Sequence, residues 1–342
     1  MHRPLRLRLD RSALQANWRW LAATAGTVCG AAVKADGYGL GAGAAVAALA
    51  EAGCRDFFVA TWDEVRRLGP LPAGASLSVL HGVGADDMAE ALASRARPVL
   101  NSIEQVGRWK AAAGERPCDV MVDTGMNRLG LRPEEVGALD GLVVDTLMSH
   151  LACADEDHPF NAVQLERFRA VSGCVEAKRV SLANSAGICL GRDYSFGLVR
   201  PGLALYGGVP RREAAGKIAQ VAFPEAQVVQ RRMVRAGESV GYGATFVAGQ
   251  DVELAVLNIG YADGYFRAFA GSGAGVFDWV RLPLVGRVSM DLVAIDCSAM
   301  PGLSEGDWVG LAFDLPSAST ATGMSQYELL TSLGDRFERV WG

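Results

Sequence analysis

Between residues 28 and 200, short β-branched runs recur, each followed by a glycine or polar break and a helix-like stretch. The runs at 28–35, 56–61, 77–82, 97–102, 119–124, 142–150, 179–185 and 196–200 read as strands. Helical periodicity fills most of the gaps, at 41–52, 62–69, 103–113 and 160–177. Asp10, just before the amphipathic run from Arg11, is placed as a helix N-cap. Alternation of this kind predicts a parallel sheet covered by helices. Eight repeats within about 200 residues favour closure into a barrel over an open doubly wound sheet. After Gly208 the texture changes. The segments 219–247, 251–260 and 281–297 alternate or run β-branched between glycine turns, with a final short helix at 324–334. The polar, proline-containing stretch 210–217 reads as a linker. The predicted fold is α/β: an N-terminal (β/α)8 TIM-like barrel over 1–212, then a mainly β C-terminal domain over 213–342. A first strand at 4–9 is free to join the β domain.

Length agrees with this division, since 342 residues suggest two domains. With 50% apolar and 21% charged residues, the chain can bury a sizeable core and is not disordered. A net charge of −5 argues against a nucleic-acid coat or a polybasic membrane anchor. The opening MHRPLRLRLD has no apolar signal core, and no long uncharged apolar stretch follows. Seven scattered cysteines without a CxxC pair fit reduced thiols in a cytoplasm better than a disulfide frame or zinc site. With only four histidines, a resident metal is not expected.

In an eight-fold barrel, chemistry gathers at the C-terminal ends of the strands. Those ends deliver Lys34, Asn101, Asp123, Arg128, His150, Asn184, Ser185 and Arg200. Lys34 stands in the apolar, glycine-flanked string AAVKADGYGLG. It is either a lysine that snorkels out to water or a desolvated amine able to form a Schiff base. The loops ANSAG (183–187) and RPGLALYG (200–207) follow strands seven and eight, where barrels bind phosphate. A Schiff-base lysine facing a phosphate site suits pyridoxal 5′-phosphate, PLP. The string GLGAGAA (39–45) lacks the spacing of a dinucleotide fingerprint.

The strings AVKADGYGLGA, VDTGMNRLG, MSHLACADED, NSAG, RPGLALYG, VGYGATF, GYADGY and GRVSMD, in this order, resemble alanine racemase. The resemblance implies a PLP enzyme that interconverts L- and D-alanine, supplying D-alanine for peptidoglycan. Lys34 matches the family's Schiff-base lysine, which serves the D-isomer face, and Tyr242 matches the base for the L-isomer face. His150 and Arg200 match a relay from that tyrosine to the PLP pyridine nitrogen. Tyr38, Ser185 and the backbone N–H groups of Gly202 and Leu203 match the phosphate clamp. Arg128 matches the arginine beside the cofactor's phenolic oxygen and the substrate carboxylate, which the Met290 backbone also contacts. Asp155, Tyr261, Arg267, Arg287 and Asp291 match the channel through which substrate enters. In the family the second tyrosine reaches the partner's site, which implies a homodimer with composite sites.

Two positions depart from the family. Met121 stands where many members have a carbamylated lysine supporting the arginine, so support for Arg128 has to come from an ion, from Asn127, or be weaker. Asp335 stands where the tail often has a tyrosine beside the phosphate, which implies a roomier pocket. Competing readings are a broader racemase acting on serine or similar residues and a non-catalytic PLP-binding protein. The second would need neither VGYGATF nor GRVSMD. A PLP decarboxylase of similar architecture would carry a reactive cysteine, which Cys297 in AIDCSAM does not resemble.

Overall fold

The computed structural model describes residues 3–342; Met1 and His2 lie outside the described residues. The chain forms two compact units, one of Ala13–Ala219 and one joining the segment up to Ser12 with Gln220–Gly342. The chain pattern puts the division at 212/213; the units part at 219/220. No helix among the described residues is long and apolar enough to cross a membrane.

Strand β1 (Leu5–Leu9) belongs to the second unit, and the remaining strands up to residue 219 build the first. These are β2 (Val28–Cys29), β3 (Ala31–Ala32), β4 (Asp56–Val59), β5 (Ser76–Val79), β6 (Arg97–Leu100), β7 (Cys118–Met121), β8 (Val144–Met148), β9 (Arg179–Ser181) and β10 (Leu198–Val199). From β3 to β9 they pair in parallel in sequence order, and β10 pairs in parallel with β2. Backbone bonds close the ring. Gly30 N donates to Val199 O at 2.9 Å and Ala32 N to Pro201 O at 2.8 Å, while Arg200 N donates to Ala183 O at 2.8 Å. Continuous burial along β4 and β7, and in β6 from Pro98 on, matches strands covered on both faces. The first predicted strand, 28–35, is broken at Gly30 and stops at Ala32, and the last, 196–200, shrinks to two residues. Helices cover the outside at Arg11–Ala25, Ala42–Ala52, Trp62–Leu68, Ile103–Ala113 and Phe160–Ser172. The first begins right after Asp10, whose carboxylate accepts from the Ser12 hydroxyl at 2.7 Å. Residues 210–217 are mostly exposed, as a linker should be, but the segment is anchored at one point. Arg211 is buried there and donates to the carbonyls of Ala154 and Glu156 at 3.0 and 2.8 Å.

Charges line the strand starts, opposite the end that carries Lys34. Asp119 is fully buried and accepts from Ser78 Oγ at 2.5 Å, Thr146 N at 3.0 Å and Arg97 Nε at 3.2 Å. Arg97 also pairs with Asp145, and Arg179 bridges Asp145 and Asp56 at 2.9 and 2.8 Å. Burial raises the Asp119 carboxyl above the ordinary range, against the pull of Arg97 and Ser78. For Asp145, burial is outweighed by Arg97 and Arg179, and the carboxyl is held below the ordinary range.

In the second unit β11 (Ala222–Val234) runs long enough to serve two neighbours. Its first half pairs with β18 (Trp308–Leu311) and its second with β14 (Val252–Leu257), through a bulge between Val228 and Gln230. With β15 (Ala274–Phe277), β16 (Val280–Val285) and β17 (Val293–Asp296), these strands close an antiparallel barrel. β1 adds antiparallel to β11 and parallel to β19 (Glu338–Trp341). The short hairpin β12–β13 (Ser239–Val240, Phe246–Val247) projects from it. Its Val240 and Phe246 pack on the apolar cluster of Val234, Ala248, Val252, Leu254 and Val285. The final predicted helix is Gln326–Thr331; a preceding helix, Leu315–Thr322, has too weak an apolar stripe to be legible in the sequence.

Candidate active site

Lys34 lies two residues past the end of β3 and is half-buried. The next residues, Ala35, Asp36, Gly37 and Tyr38, all take left-handed backbone, with φ of 51°, 52°, 63° and 57°. For the three that are not glycine this costs about 1–2 kcal/mol each, so the turn must be held from outside. Glu64 holds it, accepting from Ala35 N at 2.7 Å and from Ala60 N at 2.5 Å, and Asp36 Oδ1 accepts from Ala42 N at 2.8 Å. Desolvation, with Arg128 nearby, lowers the Lys34 ammonium below its usual range against the weaker pull of Glu64. An amine in that setting is deprotonated more easily, which is what a Schiff-base or proton-accepting role requires.

His150 and Arg200 stand in the same field. Burial, then the charges of Arg200, Arg128 and Lys34, push the His150 imidazole down to about 3, so it is neutral at physiological pH. Arg200 is buried and donates to Ser149 O at 2.6 Å and to Ser181 Oγ. Burial lowers its guanidinium to about 10, partly offset by Asp119, leaving it charged at neutral pH. Arg128 is exposed and makes no hydrogen bond or ion pair among the described residues. Asn127 does not support it: the Asn127 amide donates to Gly125 O at 3.3 Å. Met121 is buried, close under Gly130, and offers no polar group. The structure therefore brings Lys34, Arg128, His150 and Arg200 together and leaves Arg128 without a protein brace.

The glycine and serine loops build a cradle. Asn184 caps the short helix Ser185–Cys189, accepting from Gly187 N at 2.9 Å. Ser185 Oγ accepts from Gly202 N at 2.9 Å and from Ala204 N at 3.2 Å, so those N–H groups converge on one small volume. Leu203 lies buried between them. Tyr38 stacks on Tyr206 with ring centroids 4.7 Å apart, and the Tyr206 hydroxyl donates to Ala32 O at 2.9 Å. A Cβ on Gly202 would stand 2.0 Å from the Tyr38 hydroxyl. Gly202→Ala is thus expected to destabilise the fold by about 1–3 kcal/mol, read as a lower denaturant midpoint at unchanged slope.

Other predicted residues lie in the second unit. Tyr242 sits in the tight turn between β12 and β13, between Gly241 and Gly243 at φ 75° and 72°, and is 67% exposed. Arg287 is its neighbour there, with the Arg287 guanidinium 3.3 Å from a Cβ built on Gly243. Met290, 53% exposed, is tied to the Tyr261 turn: Met290 O accepts from Ala262 N and Ser289 O from Tyr261 N, both at 3.1 Å. Arg267 lies over the Tyr261 ring at 5.2 Å. Asp291 pairs with Arg336 at 2.8 Å, and Arg336 also reaches buried Asp263 at 2.6 Å. Sequence reasoning missed Arg336, which stands next to the exposed Asp335. It also missed Thr124 and Ser149, buried polar residues behind His150 whose only sequence signal is polarity in an apolar stretch, and Gln164, which is buried on an amphipathic helix. Asp155 is exposed in the first unit, on the loop that Arg211 pins. Cys297 is buried and burial raises its thiol, unlike a reactive cysteine.

Comparison with known proteins agrees with this geometry. Residues 9–210 match the family model for the alanine racemase N-terminal domain, and residues 221–341 that for the C-terminal domain. The chain is 42% identical to the alanine racemase of Rhizobium meliloti, over 98% of this chain and 96% of the relative. It is 43% identical to a catabolic alanine racemase of Agrobacterium fabrum, over 98% of this chain and 91% of that one. It is also 40% identical to that organism's biosynthetic alanine racemase, over 99% and 94%. The crystal structure of alanine racemase from Bartonella henselae with covalently bound pyridoxal phosphate superposes with a TM-score of 0.91 at 36% identity, covering 99% of both chains. Two domain models in order, and relatives matched nearly end to end, place this chain in the alanine racemase family.

Proposed function

We propose that this chain interconverts L- and D-alanine with PLP, using Lys34 and Tyr242 as opposed bases, with Tyr242 and Met290 supplied by a second copy of the chain. The observation that carries the reading is Lys34: an amine with lowered proton affinity, half-buried at a barrel strand end, beside cationic Arg128. The residues fit the cofactor. The Ser185–Gly202 cradle has no room for a Cβ at Gly202, and its N–H groups suit a phosphate. Bound PLP supplies an electron sink that lets the α-proton leave.

Lys34 moves the proton on the D-isomer face and Tyr242 on the L-isomer face; two unlike bases on opposite sides are what inversion requires. Neutral His150 can accept from a tyrosine hydroxyl on one nitrogen while donating on the other. Arg200 keeps its proton and donates at the ring nitrogen, leaving that nitrogen unprotonated and curbing side reactions such as transamination. Arg128 and the Met290 backbone hold the substrate carboxylate. Asp155, Tyr261, Arg267, Arg287 and Asp291 screen what enters. The product is D-alanine for peptidoglycan, made by a cytoplasmic homodimer.

Proton NMR in D2O of the PLP-loaded protein tests the activity. Loss of the L-alanine α-proton with formation of D-alanine, much faster than for L-serine, is the expected result. Comparable serine turnover would make it a broader racemase, and a yellow protein with no exchange would overturn the catalytic reading.

A further inference from the structure

Gln164 has no place in the chemistry described so far, yet it is fully buried and ties together the groups behind His150 and Arg200. Its Oε1 accepts from Ala152 N at 2.8 Å. Its Nε2 donates to His150 O at 3.0 Å and to Thr124 Oγ1 at 3.2 Å. A donor on one side and an acceptor on the other fix the amide in a single orientation. The chain continues, because Thr124 Oγ1 and Ser149 Oγ are 2.9 Å apart and Arg200 donates to Ser149 O at 2.6 Å. Thr124 and Ser149 are themselves buried, so no water competes for these bonds. Between residues 149 and 152, one carbonyl is held by Arg200, the next carbonyl and the Ala152 N–H by Gln164. Thr124 also opens the loop that carries Arg128 four residues on.

We infer that Gln164 is a positioning residue of this site. Its carboxamide fixes the strand end that presents His150 and, through Thr124 and Ser149, the carbonyl that aims Arg200. Only a carboxamide of this length offers two donors and an acceptor at one point. Methionine matches its reach but leaves its partners unpaired. Glutamate supplies the acceptor, and regains a donor only when protonated. The inference rests on the reading that His150 and Arg200 serve bound PLP.

The test compares Gln164→Met, Gln164→Glu, Thr124→Val and Arg200→Lys as PLP-loaded proteins, by visible absorption and alanine kinetics. Gln164→Met is expected to shift the absorption maximum and to lower kcat about tenfold or more, with KM changed less than about twofold. Thr124→Val cuts only the branch toward Ser149, and is expected to shift the absorption with a smaller loss of kcat. Gln164→Glu adds a pH signature: burial raises its carboxyl, so its kcat relative to the parent rises as pH falls and the donor is regained. That ratio decides the matter if the methionine protein does not fold. An unchanged spectrum and kcat in Gln164→Met, or a flat ratio in Gln164→Glu, would overturn the inference. Arg200→Lys separates the two failures. If it alters spectrum and kcat while the Gln164 variants do not, only the positioning role falls. If it too is silent, the reading of Arg200 falls.

Discussion

In D2O, the Tyr242→Phe protein is expected to wash deuterium into D-alanine while leaving the α-proton of L-alanine in place. The two proposed bases stand on opposite faces, so removing one should disable one direction of proton removal and spare the other. With D-alanine, Lys34 still takes the α-proton, exchanges it with solvent and returns a deuteron to the same face. With L-alanine, no base remains on the reacting side. Net racemisation should fall by about 10²–10⁴-fold, the range associated with a positioned general base. The loss should not come from misfolding. Tyr242 is 67% exposed, and its hairpin is anchored by Val240 and Phe246 on an apolar cluster that the substitution leaves alone. Stability should stay within about 0.5 kcal/mol of the parent. Undiminished exchange of the L-alanine α-proton would remove Tyr242 from the mechanism.

Asp119→Ala is expected to cost about 3–5 kcal/mol of folding stability, while Asp119→Asn costs clearly less. The carboxylate is fully buried, and three donors converge on it from Ser78, Thr146 and Arg97. Alanine leaves all three, one of them cationic, facing a void; asparagine keeps an oxygen among them. Urea or guanidinium titrations with an unchanged slope would report the difference as a shift in midpoint. The pH dependence separates the two acids. Asp145, held below its ordinary range, contributes stability that is present above the unfolded carboxyl value near 4 and is lost as pH falls through the lower folded value. Asp119, raised by burial, works the other way: its ionisation costs stability that acidification returns. Removing Asp119 should therefore steepen the parent's loss of stability in acid. An alanine variant as stable as the parent would mean the strand-start charges are dispensable.

Much of this was legible in the chain because burial on both faces forces continuous apolar strands, and the eight runs that predict the barrel fall where its strands lie. Their ends were harder to place. Whether a strand stops at Ala32 or Ala35 depends on the left-handed turn after Lys34, and that turn is imposed by Glu64, about thirty residues away and invisible to local periodicity. Lys34, His150 and Arg200 could be singled out because a polar residue closing an apolar run is conspicuous, and Arg128 because it lies in the loop just after one. Gln164 could not: on an amphipathic helix a glutamine resembles any solvated position until tertiary packing buries it. The strand-start ring was missed for a related reason. Asp56, Arg97, Asp119, Asp145 and Arg179 are scattered in sequence and become one network only when parallel register aligns them.

β1 carries a consequence for how the protein is made. It leaves the ribosome well ahead of both its partners, since β11 begins only at Ala222 and β19 at Glu338. At about 5–20 residues per second, β1 waits about 10–40 s for its antiparallel partner and longer for its parallel one. During that interval the contiguous unit Ala13–Ala219 can complete itself, while Leu5, Leu7 and Leu9 remain an unpaired apolar edge. Arg6 and Arg8 alternate with those leucines, and in the finished sheet both pair with Glu225. Before the sheet exists, the same two charges act as gatekeepers, discouraging the nascent strand from joining another chain's edge. The pairing of β1 thus makes the second unit the last to be finished, and the arginines protect its first strand until then.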